Sequence, residues 1–283
     1  MAGTIPVSAI IITRNEARRI NRCINALKDF NEIVIVDSAS SDETPAIARA
    51  AGATVVPFEW DGCYPKKKQW CLDNLTLKNE WVFLVDADEE LTTALKAEIA
   101  SLFAAKTPAC GGYFVPGLYV MNGGTLRFGL RNKKLALFDR RLVAFPVVDD
   151  LDLPGMGEVE GHYQPVAKSG HVALGALKHG MLHHAYESMD GWRERHRRYA
   201  AWEAGMNARG AWPADPDGVR EVMKQLFRRM PGRGAVAFAH SYLLRLGFLD
   251  GREGFVLARD RWRYYRMIAE AASRYEETGA AEP

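Results

Sequence analysis

The chain has 283 residues, 48% of them hydrophobic and 25% charged, with a formal net charge of +2. This is an ordinary globular balance that supports one large core or two small ones and gives no reason to expect a polyanion partner. Four cysteines (Cys23, Cys63, Cys71, Cys110) form no Cys-x-x-Cys pair, which argues against a zinc site or a disulfide framework and suits a reducing cytoplasm. No apolar stretch approaches the roughly 20 residues needed to cross a bilayer, so any membrane role is expected to be peripheral.

Residues 7–12 are apolar and carry no basic flank or cleavage-like site, so they read as a buried first strand rather than a signal peptide. The strand breaks into Arg14-Asn15-Glu16. A helix follows, with Ile20, Cys23, Ile24 and Leu27 on one face. Residues 32–37 repeat the pattern, an apolar strand ending in Asp37. In the next turn Ser40 and Glu43 form a capping-box candidate, Pro45 is tolerated in the first helical turn, and Gly52 stops the helix. A third strand is predicted over 54–58 and a short helix through Trp70 and Leu72. Lys66 and Lys67 read as a solvated face.

The run Trp81-Val82-Phe83-Leu84-Val85-Asp86-Ala87-Asp88-Glu89-Glu90 is a buried strand whose C-terminal end opens onto carboxylates. In an open α/β sheet that end is where ligands bind. In extended backbone Asp86 and Asp88 point the same way, and together they could grip a hard divalent cation bound to substrate phosphates. The competing reading is that Asp88, Glu89 and Glu90 open the next helix. Strand and helix alternate four times in about ninety residues, the signature of a parallel sheet with right-handed crossovers. Residues 13–17 contain no glycine, so neither a dinucleotide fingerprint nor a P-loop is present.

Three segments, Ile10-Ile11-Ile12-Thr13-Arg14-Asn15-Glu16, Ile35-Val36-Asp37-Ser38-Ala39-Ser40-Ser41-Asp42-Glu43-Thr44 and Val85-Asp86-Ala87-Asp88-Glu89, resemble the nucleotide-sugar half of family 2 glycosyltransferases. The likeness extends to the bacterial lipopolysaccharide-core β-1,4-glucosyltransferase subgroup. The resemblance implies an α/β GT-A fold, Rossmann-like, with a mostly parallel central sheet flanked by helices and a helical C-terminal region. The expected division is residues 1–180 for the catalytic domain and 181–283 for acceptor or membrane contact. The resemblance further implies that Thr13, Asn15, Glu16 and Asp37 hold uridine, a carboxylate being a sensible acceptor for the uracil imide N–H. Lys68 would approach the diphosphate, and Asp86 and Asp88 would bind Mg²⁺ or Mn²⁺, with His183 as a further candidate for metal or diphosphate.

Inverting transfer from a UDP-sugar needs a carboxylate base on the far face of the sugar. Candidates lie in Asp149-Asp150-Leu151-Asp152 and Met156-Gly157-Glu158-Val159-Glu160-Gly161-His162. In extended backbone Glu158, Glu160 and His162 share a face. The order of preference is Glu160, Glu158, then Asp150, although the segment departs from the family's usual His-Glu. The implied acceptor is a cell-envelope saccharide or lipid-linked saccharide. Alternatives are a polyprenyl-phosphate glycosyltransferase, a sugar-phosphate nucleotidyltransferase, and a non-catalytic nucleotide- or glycan-binding scaffold. The nucleotidyltransferase would want a glycine-rich first loop that is missing here.

Residues 220–266 hold eleven Arg and Lys against four acidic residues, interleaved with aromatic and aliphatic side chains. Basic amphipathic helices of this kind suit an anionic membrane surface. Their apolar faces are expected to pack inward, with the arginines turned to lipid. No nucleic-acid motif is present.

Overall fold

The computed structural model describes residues 4–104, 108–161, 163–186, 189–215 and 218–278. Its central strand is β1 (Ile5–Thr13), where Val7, Ala9, Ile10 and Ile11 are fully buried. Period-two alternation turns Val7, Ala9 and Ile11 into one cluster with Ile20, Cys23, Ile24 and Leu27 on and just beyond α1 (Ile20–Ala26). The one-face spacing read from the sequence is therefore the packing face. β2 (Phe30–Asp37), α2 (Thr44–Ala50), β3 (Thr54–Pro57), α3 (Lys67–Asn74) and β4 (Trp81–Asp86) complete the alternating half.

β5 (Glu89–Leu91), α4 (Thr93–Ala104) and β6 (Gly112–Met121) come next, followed by β7 (Gly124–Thr125), β8 (Asn132–Asp139) and β9 (Val143–Ala144). The strands end with β10 (Val166–Ala167), β11 (Leu174–Ala176) and β12 (Met181–His183). The main sheet runs β3-β2-β1-β4-β8-β6-β12-β5. β2, β1 and β4 are parallel neighbours, β3 joins β2 in parallel, and β8 lies antiparallel between β4 and β6. This is the expected mixed, largely parallel sheet. The strand order reverses around β1 and β4, so the crevice at their C-terminal ends is the topological switch point where α/β sheets bind ligands.

Two local expectations give way. Ser40 does not cap α2, whose first flanking residue is Glu43; the Ser40 hydroxyl is instead donated to Asp37, 2.6 Å away. Nor do the acidic residues after β4 open a helix. Ala87 and Asp88 make a turn, Glu89–Leu91 pairs antiparallel with β12, and α4 begins only at Thr93.

By internal contacts the chain forms two units, the first made of Met1–Val120, Asn132–Phe145 and Gln164–Ala185, the second of Met121–Arg131, Pro146–Tyr163 and Tyr186–Pro283. The sheet described above belongs to the first, including β12, which lies past residue 180. The second is built on α5 (Met189–Arg209) and α8 (Gly251–Thr278), with Ala200, Ala204, Ile268 and Ala271 at their contact. It also holds α6 (Gly218–Arg229) and α7 (Arg233–Ala239), the latter running into a π-helical turn (His240–Leu244) and a 3-10 turn (Gly247–Asp250). Among the described residues no helix is long and apolar enough to cross a membrane.

Candidate active site

Parallel pairing sets Thr13 beside Asp37 at the ends of β1 and β2, and the Thr13 hydroxyl donates to Asp37 Oδ1 at 2.8 Å. Asp37 also accepts from the Ser40 amide (2.9 Å) and the Ser40 hydroxyl. Its carboxylate has about four acceptor positions, so one remains for a ligand donor. The loop after β1 is stitched to the loop after β2. The Asn15 amide donates to Ser40 Oγ (2.8 Å), the Ser41 amide to Asn15 Oδ1 (2.8 Å), the Glu16 amide to Thr44 Oγ1 (2.7 Å) and the Ala17 amide to Asp42 Oδ2 (3.1 Å). Asn15 holds this geometry with φ at 58°, a left-handed conformation that asparagine tolerates better than most residues. Thr13, Asn15, Glu16 and Asp37 thus meet in one polar rim.

Lys66 and Lys67 are not a solvated face. Both are 1% exposed, and the Lys67 ammonium donates to the Thr13 carbonyl at 3.0 Å and lies 5.5 Å from the centre of the Phe58 ring. It ties α3 to the end of β1 in a place where an unpaired ammonium would be costly. Lys68, one residue on, stays partly exposed and comes within 3.7 Å of Asp86 Oδ1.

At the end of β4, Asp86 Oδ2 takes a 3.0 Å hydrogen bond from Lys134 on β8. Lys134 also donates to the buried Glu89, whose carboxylate in turn accepts the Asp86 amide at 2.8 Å. Burial pushes the Asp86 carboxyl upward, but the ammonium groups of Lys134 and Lys68 prevail and hold it well below the usual range. Burial raises Glu89 against the pull of Lys134. Burial would lower Lys134, yet the two carboxylates keep it firmly protonated. Lys134 was missed in the sequence because only strand pairing carries it to Asp86, 48 residues away.

Asp88 lies in the turn that ends β4, so the shared extended face expected for Asp86 and Asp88 does not form. Its carboxylate faces His183 Nε2 at 3.4 Å, and the His183 ring stacks on Tyr119 with centroids 5.4 Å apart. Burial opposes both ionisations, but the pairing prevails, lowering the Asp88 pKa and raising that of His183. The neighbouring His184 Nε2 contacts Glu90 at 3.2 Å. Among the described residues no three His, Cys, Asp or Glu side chains gather as a cation cage. Asp86 and Asp88 therefore offer hard oxygen ligands one or two at a time, a donor set that fits Mg²⁺ or Mn²⁺ when phosphate and water fill the remaining positions.

Residues 8–140, which contain nearly all of these groups, match the profile of the family described as Glycosyl transferase family 2. Over that stretch the chain is similar to family 2 glycosyl transferases. An uncharacterized glycosyltransferase of Rickettsia bellii is 37% identical over 146 residues, 50% of this chain and 49% of that protein. The lipopolysaccharide core biosynthesis glycosyltransferase LpsC of Rhizobium meliloti is 32% identical over 146 residues, 50% of this chain and 53% of that protein. The chain thus spans about half the length of these curated relatives. The solved mannosyltransferase PcManGT from Pyrobaculum calidifontis, in complex with GDP-Man and Mn²⁺, superposes with a TM-score of 0.52 at 16% identity, covering 95% of this chain and 87% of that one. This likeness establishes the GT-A fold.

The three carboxylates expected to serve as base lie in the second unit. Residues 151–159 are a succession of turns, so the extended face imagined for Glu158 and Glu160 is not there, and His162 falls outside the described residues. The segment clasps Trp202 of α5. The Trp202 indole donates to Asp150 Oδ2 at 2.9 Å, and a Cβ on Gly161 would stand 2.5 Å from the indole ring. Asp150 is 1% exposed and Glu160 4%, while Glu158 is half-buried.

Proposed function

We propose that the chain is an inverting, divalent-metal-dependent glycosyltransferase that moves a hexose from a UDP-sugar to a cell-envelope saccharide, with lipopolysaccharide core as the favoured acceptor class. The observation that carries this reading is the charged cluster at the β1/β4 switch point, where Asp86 and Asp88 stand among Lys68, Lys134 and His183. A nucleoside diphosphate is the ligand whose charge and oxygen chemistry suit such a place. The rim of Thr13, Asn15, Glu16 and Asp37 serves the uridine, with the spare acceptor position of Asp37 for the uracil imide. LpsC, a relative named for lipopolysaccharide core biosynthesis, supports the acceptor class.

A divalent cation on Asp86 and Asp88 would supply charge stabilisation for the departing diphosphate. Lys68 adds a positive charge beside the same oxygens. Lys134 pairs with both Asp86 and Glu89 and keeps the two carboxyl groups aligned. The Asp88–His183 pair, braced by Tyr119, orients the second carboxylate. For the acceptor proton we favour Glu160, then Glu158, with Asp150 third.

Titration calorimetry with UDP, with and without Mn²⁺, tests the donor reading. Metal-dependent binding that Asp88→Ala removes is expected, and absence of UDP binding with either metal overturns it. Glu160→Gln and Glu158→Gln then separate base from scaffold. Loss of transfer with UDP binding retained marks the base, whereas near-normal turnover in both variants removes this segment from the chemistry.

A further inference from the structure

An isolated amphipathic helix on a soluble unit ordinarily hides its apolar stripe and shows its charges. α6 does the reverse. Its protein-facing side is polar and aromatic: Arg228 lies over the Trp212 ring at 4.6 Å, Lys224 donates to Asp215, Glu221 accepts the Asp215 amide at 2.9 Å, and Phe227 meets Tyr265 edge-on at 5.3 Å. Its other side carries Val219 (77% exposed), Val222, Met223, Leu226 (59%) and, just past its end, Met230. At 100° per residue these five fall within about one third of the helix circumference, and the exposed Arg220 and Arg229 border the stripe on its two sides. The apolar-inward packing expected from the sequence is inverted here.

The same unit exposes a second apolar protrusion at the turn after α7. Leu243, Leu244, Leu246 and Phe248 are all open to solvent, Leu244 to 76%, with the exposed Arg245 among them. Residues 218–252 contain seven Arg and Lys against two acidic residues, a net of +5, whereas the whole chain carries +2 and the remainder is therefore −3. The positive charge is concentrated where the apolar side chains are exposed.

We propose that the exposed stripe of α6, together with the 243–248 protrusion, is a docking surface for an anionic lipid bilayer. An apolar face flanked by arginines can bury in the headgroup and acyl boundary while the arginines meet lipid phosphates. A second copy of this chain is the less suitable occupant, because it would bring a like net charge of +5 against the same surface. The docking rests on the second unit alone and is independent of the donor-site reading.

The test is co-sedimentation of the full chain with vesicles of phosphatidylcholine, alone or mixed with phosphatidylglycerol. Binding to the mixed vesicles is expected, weakening as salt is raised. The double variant V222D/L226D should lower the bound fraction at least about tenfold, and Leu142→Asp, an exposed apolar site in the first unit, should not. An unchanged far-ultraviolet circular dichroism spectrum and urea midpoint for V222D/L226D would show that the loss is not unfolding. Wild-type chain that stays in the supernatant with anionic vesicles overturns the proposal, as does binding that is equal on pure phosphatidylcholine and insensitive to salt. A concentration-dependent dimer in sedimentation equilibrium that V222D/L226D dissolves would overturn it in favour of a second copy.

Discussion

The two units break the usual rule of burial in opposite directions. In the first, charge is inside: Lys67 and Glu89 are buried and Lys134 is largely covered, each with a named oppositely polarised partner, around the ends of β1 and β4. In the second, apolar surface is outside, on α6 and the turn after α7. Both arrangements cost stability unless something repays them. A buried ion cluster is repaired internally by its counter-charges, whereas an exposed apolar stripe can be covered only by another body.

The largest effect expected to sharpen this contrast is Asp88→Ala. If the cluster serves a ligand, transfer activity should fall by about a hundredfold or more, with little change in the denaturation midpoint, because Asp88 is partly exposed and its ion pair is with His183. Full activity would separate the cluster from the chemistry. Lys134→Ala should behave differently, destabilising the first unit by about 3–5 kcal/mol, since it leaves the buried Glu89 without its ammonium. Urea denaturation measures it, and a cost below about 1 kcal/mol would mean that the cluster is loosely held.

A matched pair of truncations probes the outer side of the comparison. Leu27→Ala, in the core beneath β1, should cost about 2–5 kcal/mol. Leu226→Ala on the α6 stripe should stay within about 0.5 kcal/mol. Equal costs would show that the α6 face is covered in solution. The smallest effect concerns pH. Burial raises the pKa of Glu203 against the opposing pull of Arg233 and the hydrogen bond from the Tyr264 hydroxyl. A carboxyl with a raised folded pKa contributes stability that is complete below the ordinary glutamate range and lost as pH rises through the folded value. The melting temperature should therefore decline across that interval, and Glu203→Gln should flatten the decline. A wild-type profile already flat there removes Glu203 as a determinant.

Much of the first unit was legible because its information is local. Period-two runs ending in Thr13, Asp37 and Asp86, and the one-face spacing of Ile20, Cys23, Ile24 and Leu27, specify strands and helix without knowledge of the neighbours. The order of polar strand ends likewise pointed to the C-terminal edge of the sheet. The places where local reading failed are those where a residue's environment comes from a distant segment. Ser40 looked like a helix cap and became a ligand of Asp37. Lys66 and Lys67 looked like a solvated run and were taken into the interior by the packing of α3 on the end of β1.

The sequence by itself determined the alternating architecture, the set of carboxylates at the strand ends and the concentration of positive charge near the C-terminus, because each follows from residue type and spacing along the chain. Only the tertiary structure decided that Lys134 locks Asp86, that Asp88 turns away to His183, that Asp150 is spent on the Trp202 indole and that α6 faces its apolar stripe to solvent. Each of those depends on which partner arrives from elsewhere in the chain. A helical period states that a face exists, and packing alone decides which way it points.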